Sequence, residues 1–98
     1  MNIGFIGIGQ MGGPAAQRIL EAGYELTVHD LRREAAQQLV QKGAKWADTP
    51  KMVAESCNIV ISSLPGPVEV EEVVLGTDGL LAGWKRGDIY IDISTNSP

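Results

Sequence analysis

The sequence is short of cysteine, histidine and aromatic residues, and it has no long apolar run. Its single thiol, Cys57, cannot form an internal disulfide, which excludes a fold held by disulfides. No apolar stretch approaches the roughly 20 residues that span a bilayer, and no charged leader precedes the first apolar residues. We therefore expect no membrane partner and no targeting peptide, and we take the location to be cytoplasmic.

Positive charge is scarce as well: eight Lys and Arg residues stand against twelve Asp and Glu residues, a net charge of −4 at pH 7. Nucleic acids and anionic membranes require a basic face, so we expect neither as the main partner. The residues also show no metal-ligand spacing, no Ser–His–Asp set and no Walker loop, so no metal site is expected.

Glycine, by contrast, is frequent, with 12 of 98 residues, and it falls mostly where predicted elements end. The apolar pattern predicts strands at 2–7, 25–30, 44–47, 58–64 and 88–94. It predicts helices at 11–22, 32–42, 50–56 and 68–75, and one helical turn within 76–87.

Strands that alternate with helices imply a parallel sheet covered on both faces. The predicted fold class is therefore α/β, a Rossmann-type doubly wound parallel sheet. A full dinucleotide-binding fold has six strands and only five are visible, so residues 1–98 are expected to form one incomplete domain. Such a sheet should expose apolar surface and an open edge, which predicts marginal stability or self-association.

Three glycines in the pattern Gly7-x-Gly9-x-x-Gly12 lie between the first predicted strand and the first predicted helix. In this context Gly7 permits a tight turn, Gly9 lets the backbone approach a pyrophosphate, and Gly12 lets helix and strand pack closely. The helix start adds unpaired N–H groups and a positive dipole end. We predict a phosphate-binding turn over residues 7–12; the alternative is a glycine-rich turn with no ligand.

Asp30 ends the second predicted strand, 18 residues after Gly12. An acidic residue at about this distance typically accepts hydrogen bonds from the adenosine ribose, which favours NAD because a carboxylate repels a 2′-phosphate. Arg32 and Arg33 leave NADP open as the alternative cofactor, since a guanidinium can bind the 2′-phosphate with two hydrogen bonds. The other interpretation of these arginines is that they are solvated residues in the first turn of a helix. His29 is interpreted as a strand residue and not as a proton-transfer group.

Two further segments end predicted strands at the same edge of the sheet. Ser62-Ser63-Leu64-Pro65 closes the fourth strand, where it either covers the ribose–nicotinamide side of a cofactor or forms a plain turn. The segment 92–98 closes the fifth strand. There Ser94 and Thr95 either hold a carboxylate or the nicotinamide amide, or cap a following helix.

Three segments carry a family pattern: GFIGIGQMG at residues 4–12, Leu64-Pro65, and DISTNSP at residues 92–98. In this order, with Met11 between the second and third glycines, they resemble the β-hydroxyacid dehydrogenase family. That family includes 3-hydroxyisobutyrate dehydrogenase and tartronate semialdehyde reductase, and its front domain is similar to the NAD-binding domain of 6-phosphogluconate dehydrogenase. The resemblance covers the whole chain.

The resemblance implies a cofactor site for NAD or NADP and the start of a substrate site at Ser94 and Thr95. The implied cofactor-binding residues are Gly7, Ile8, Gly9, Gln10, Met11, Gly12, Asp30, Leu31, Arg32, Leu64, Pro65 and Thr95. The implied reaction is the reversible oxidation of a small 3-hydroxy acid by hydride transfer.

The family also uses a lysine general acid/base on a later helix and an all-helical domain that completes the substrate pocket and the dimer. None of the four lysines here lies in the matching motif, so this chain holds no predicted catalytic residue and is expected to be inactive alone. The full-length form is expected to be a homo-oligomer. Two alternatives stay open: an imine reductase, which shares this front domain, and a non-catalytic dinucleotide-binding or oligomerisation module.

Overall fold

The computed structural model of the chain describes residues 2–9, 12–64 and 66–93. The strands are β1 (Asn2–Ile6), β2 (Glu25–His29), β3 (Lys45–Trp46), β4 (Ile59–Ser62) and β5 (Ile89–Asp92). The α-helices are α1 (Gly12–Glu21), α2 (Gln37–Gln41), α3 (Pro50–Ser56), α4 (Pro67–Leu75) and α5 (Leu80–Gly83). A short 3-10 helix, Arg33–Ala36, precedes α2.

The five strands form one sheet in the order β3-β2-β1-β4-β5, and every neighbouring pair is parallel. The chain runs outward from β1 through β2 to β3, and then crosses back to β4 on the other side of β1. The order therefore reverses at β1, which is the point where open α/β sheets bind their ligands. The predicted Rossmann-type fold is confirmed.

A hydrophobic core lies on each face of the sheet, because successive strand side chains point to opposite sides. Phe5 and Val28 are fully buried on the face that α1 and α2 cover. Ile6 and Val60 are buried on the other face, against α3 and α5. Each fully buried aliphatic or aromatic side chain contributes about 1.5–3 kcal/mol, so the two layers hold the helices to the sheet.

The helix predicted at 32–42 is divided into the 3-10 helix and α2. Arg32, the residue before the 3-10 helix, makes no side-chain capping bond, and the Ala35 N–H donates to the Arg32 carbonyl at 3.0 Å. A helix start without a capping side chain satisfies its N–H groups through such tighter i→i+3 bonds. At α3, by contrast, Thr49 caps the helix as predicted, accepting from the Met52 N–H at 3.2 Å.

Among the described helices, none is both long enough and apolar enough to cross a membrane.

Candidate functional site

A cavity of about 720 Å³ opens at the carboxyl edge of the sheet, beside the end of β1. Its volume lies within the range typical of small-molecule and cofactor sites. The glycine turn, the end of β2, the end of β4 and one face of α4 border it. Residues from all four parts line it, among them Gly7, Gly9, Asp30, Leu31, Leu64 and Glu72.

Gly7 and Gly12 are glycines because the surrounding protein leaves no room for a side chain. Gly7 has φ +93°, and a Cβ there would overlap the Ser63 carbonyl oxygen. A Cβ at Gly12 would overlap the Gly7 carbonyl oxygen, so the first turn of α1 packs directly on the end of β1. These two glycines shape the turn itself.

Gly9 is different, because no contact among the described residues requires it to be glycine. Its φ is not positive, and a Cβ at this position meets no described atom within 4 Å. The Gly9 carbonyl accepts from the Gly13 N–H at 2.8 Å and so begins α1. The bare backbone at Gly9 borders the cavity, which is the arrangement that a pyrophosphate lying against a helix start requires.

The Asp30 carboxylate joins the end of β2 to the glycine turn. Its Oδ2 accepts from the Ile8 N–H at 2.7 Å, and its Oδ1 accepts from the Arg32 N–H at 2.9 Å. A carboxylate has about four acceptor sites, so both oxygens retain capacity for ribose hydroxyls. Asp30 therefore holds the turn in place while bordering the cavity.

The two arginines after Asp30 are engaged with neighbours of their own. The Arg32 Nε lies 3.5 Å from the Glu34 Oε1, and both side chains are exposed. The Arg33 guanidinium lies over the Trp46 ring, 5.5 Å from its centroid, so Arg33 is more than a solvated helix residue.

Apolar side chains frame the cavity between β2 and β4. Leu31 is 93% exposed at its rim, and Leu64 is half-buried on the β4 side. Apolar side chains at two borders of the cavity suit a ligand with an apolar ring.

Sequence reasoning missed the contribution of α4. Glu69, Glu72 and Val73 line the cavity, and their i, i+3, i+4 spacing places them on one helix face. That spacing was the available signal. His29, predicted as a strand residue, is the last residue of β2, with its Nδ1 2.9 Å from the Ala47 carbonyl oxygen.

Five predicted site residues lie outside the described residues: Gln10, Met11, Pro65, Ser94 and Thr95.

Residues 2–98 match the family described as the NAD binding domain of 6-phosphogluconate dehydrogenase. The chain belongs to this family. The NAD-binding domain is 43% identical over 97 residues to 3-hydroxyisobutyrate dehydrogenase from Pseudomonas aeruginosa, covering 99% of this chain and 33% of that protein. The predicted resemblance to the β-hydroxyacid dehydrogenases is confirmed.

Solved structures of the same fold superimpose closely on this NAD-binding domain. One, described as "Psf3 in complex with NADP+ and 2-OPP", has a TM-score of 0.89 and 34% identity, over 96% of this chain and 34% of that one. A Streptomyces aurantiacus imine reductase has a TM-score of 0.85 and 30% identity, over 99% of this chain and 33% of that one. The domain thus spans about a third of the length of these relatives.

Proposed function

We propose that this domain binds a nicotinamide dinucleotide, with the pyrophosphate against the turn at residues 7–12 and the adenosine ribose at Asp30. The observation that carries the proposal is Gly9, where a Cβ would meet no described atom and the bare backbone borders the cavity. Leu31 lies beside the adenosine half, and Leu64 contacts the cofactor from the β4 side. Arg32, Gln10, Met11, Pro65 and Thr95 complete the proposed cofactor site, as the family resemblance implies.

We infer that the domain prefers NAD to NADP. Asp30, Glu69 and Glu72 line the same cavity, so a 2′-phosphate there meets carboxylates at close range. Of the two arginines after Asp30 that could neutralise the phosphate, Arg32 is paired with Glu34 and Arg33 lies over the Trp46 ring.

Calorimetric titration of the intact protein with NADH and with NADPH tests the proposed site and its preference. We expect NADH to bind at least about tenfold more tightly than NADPH, a difference of about 1.4 kcal/mol. Equal affinities would contradict the preference, and no binding of either cofactor at millimolar concentration would overturn the proposed site.

We further infer that the whole protein transfers a hydride between this cofactor and a small 3-hydroxy acid, of the 3-hydroxyisobutyrate or tartronate semialdehyde type. The bound nicotinamide supplies or accepts the hydride, while the residues described here bind and orient the cofactor. The domain spans a third of its relatives, so we place the lysine general acid/base and the helical domain outside residues 1–98. Ser94 and Thr95 begin the substrate site. A cytoplasmic homo-oligomer is the proposed working form.

The alternative function is imine reduction, which the similarity to the Streptomyces aurantiacus imine reductase favours. Following absorbance at 340 nm, we expect the natural gene product to oxidise 3-hydroxyisobutyrate with NAD. Reduction of a cyclic imine without hydroxy acid oxidation would instead support the imine reductase. Tight NADH binding with neither activity would support a non-catalytic dinucleotide-binding module.

A further inference from the structure

Three hydrogen-bonding side chains connect β4 to β5 at the carboxyl edge of the sheet. Ser62 is fully buried at the end of β4, and its register partner on β5 is Asp92. The Ser62 Oγ lies 3.0 Å from the Asp92 Oδ1 and 2.6 Å from the Tyr90 Oη. A serine hydroxyl has one hydrogen; because Ser62 donates it to Asp92, Tyr90 must donate to Ser62. We call Tyr90, Ser62 and Asp92 the hydroxyl relay.

The Tyr90 end of the hydroxyl relay is held in place by packing. The Tyr90 ring is half-buried and lies edge-on to Trp84, with ring centroids 6.5 Å apart. Burial raises the pKa of Tyr90 above its ordinary value of 10.0; the Ser62 hydrogen bond opposes this rise, and the negative charge of Asp92 adds to it. The phenol therefore stays protonated through the neutral range and remains a donor.

The relay lies on the side of the glycine turn away from Asp30. Ser62 pairs in register with Ile6, the residue just before the turn, and Asp92 lies one strand further out. A dinucleotide extends along the carboxyl edge of such a sheet, on both sides of the point where the strand order reverses. With the adenosine half at Asp30, the nicotinamide half extends toward β4 and β5.

We propose that Tyr90 and Ser62 are positioning residues for the nicotinamide half of the cofactor. They fix the Asp92 carboxylate, and with it the end of the strand that leads into Ser94 and Thr95. The proposal rests on the proposed function, because it assumes that a dinucleotide lies along this edge.

The test compares NADH with ADP-ribose, which is the same ligand without nicotinamide. Tyr90→Phe keeps the ring beside Trp84 but removes the donor. In calorimetric titrations of the intact protein we expect this variant to bind NADH about fivefold more weakly, because the strand end at Asp92 is less well held and must be ordered when the nicotinamide half binds. Its ADP-ribose affinity should stay within about twofold of the unmodified protein. Tyr24→Phe, which alters the exposed tyrosine before β2, is the matched control and should change neither affinity.

Ser62→Ala provides a second, independent break in the relay, should either variant fold poorly. We expect it to weaken NADH selectively as well, and the double variant to be no worse than Ser62→Ala alone, because both changes interrupt one unit. Equal losses of affinity for NADH and ADP-ribose, or no loss for either, would overturn the positioning role. The relay would then only connect β4 to β5. If the unmodified protein binds neither ligand, the proposed function itself is wrong.

Discussion

Gly9 and Asp30 differ in what the protein requires of them. Asp30 serves the fold, since its carboxylate bonds the Ile8 and Arg32 N–H groups, and it also borders the cavity. Gly9 serves no contact in the described fold. The sequence predicted both as cofactor residues from their spacing. It could not predict the Asp30–Ile8 bond, because that bond depends on how closely β2 approaches the turn in three dimensions.

The pairing of Arg32 with Glu34 gives a prediction about cofactor choice. Glu34→Gln removes the charge that holds the Arg32 guanidinium, which becomes available to a 2′-phosphate. Exposed ion pairs contribute up to about 1 kcal/mol, so we expect NADPH affinity to rise about two- to fivefold with NADH affinity unchanged. The NADPH-to-NADH ratio of dissociation constants is the measurement. Glu25→Gln, the same change at the amino end of β2, is the control; an equal shift there would contradict the account.

At the level of elements, most boundaries follow from local signals, and the exceptions have local causes. Thr49 with Pro50 predicts the start of α3, because side-chain capping and a proline in the first turn act within a few residues. The 3-10 helix before α2 was not predicted. Its form follows from the missing capping side chain at Arg32, where the Ala35 N–H bonds the Arg32 carbonyl instead, and helix propensity does not include this.

The C-terminal end of α3 is held by a lysine from outside the helix. The Lys85 ammonium donates to the Ala54 carbonyl and, at 2.9 Å, to the Cys57 carbonyl, and it pairs with Asp88 at 3.1 Å. Lys85→Met should lower the free energy of unfolding by about 1–2 kcal/mol without changing NADH affinity, because these bonds lie away from the cavity. Urea unfolding measures this. The control is Lys45→Met, at an exposed position in β3; an equal loss of unfolding free energy in this variant would contradict the prediction.

Asp88 makes the stability of the protein depend on pH in the acid range. Its side chain is only 4% exposed, and burial acts to raise the pKa; the Lys85 N–H and ammonium outweigh burial and lower the pKa below 3.8. The stabilisation that ionised Asp88 gives the fold is therefore present above the pKa of Asp88 in the unfolded chain. It is lost as the pH falls through the lower pKa of Asp88 in the folded protein. Asp88→Asn should flatten the decline of stability below about pH 4. Parallel acid-unfolding curves for this variant and the unmodified protein would contradict the prediction.

For the whole molecule, the strand order and the two-sided core follow from the alternation of strands and helices. The sequence did not predict which surfaces stay uncovered. Ile89, Ile91 and Ile93 recur at every second residue from β5 onward and are each between 40% and 52% exposed. Strand periodicity places them on one face of an edge strand, which we call the β5 stripe.

The β5 stripe gives a prediction about association. A row of exposed isoleucines on an edge strand favours self-association, as expected for this sheet. Ile89→Thr with Ile91→Thr should lower the sedimenting mass of the 98-residue chain toward that of a monomer, since threonine keeps strand propensity but removes apolar surface. Val68→Thr, at an exposed position on α4, should change nothing. A sedimenting mass independent of all three changes would show that the stripe is not the contact.

The central claim, that the turn at residues 7–12 holds a dinucleotide, is tested most directly by NADH titration of Gly9→Ala. The added methyl group meets no described atom and suits the backbone, so the thermal midpoint should be unchanged or slightly higher. NADH affinity should fall at least about tenfold, because the methyl group occupies the space given to the pyrophosphate. Gly13→Ala, in α1 but outside the cavity lining, should bind NADH normally. A folded Gly9→Ala variant with unmodified NADH affinity would contradict the account.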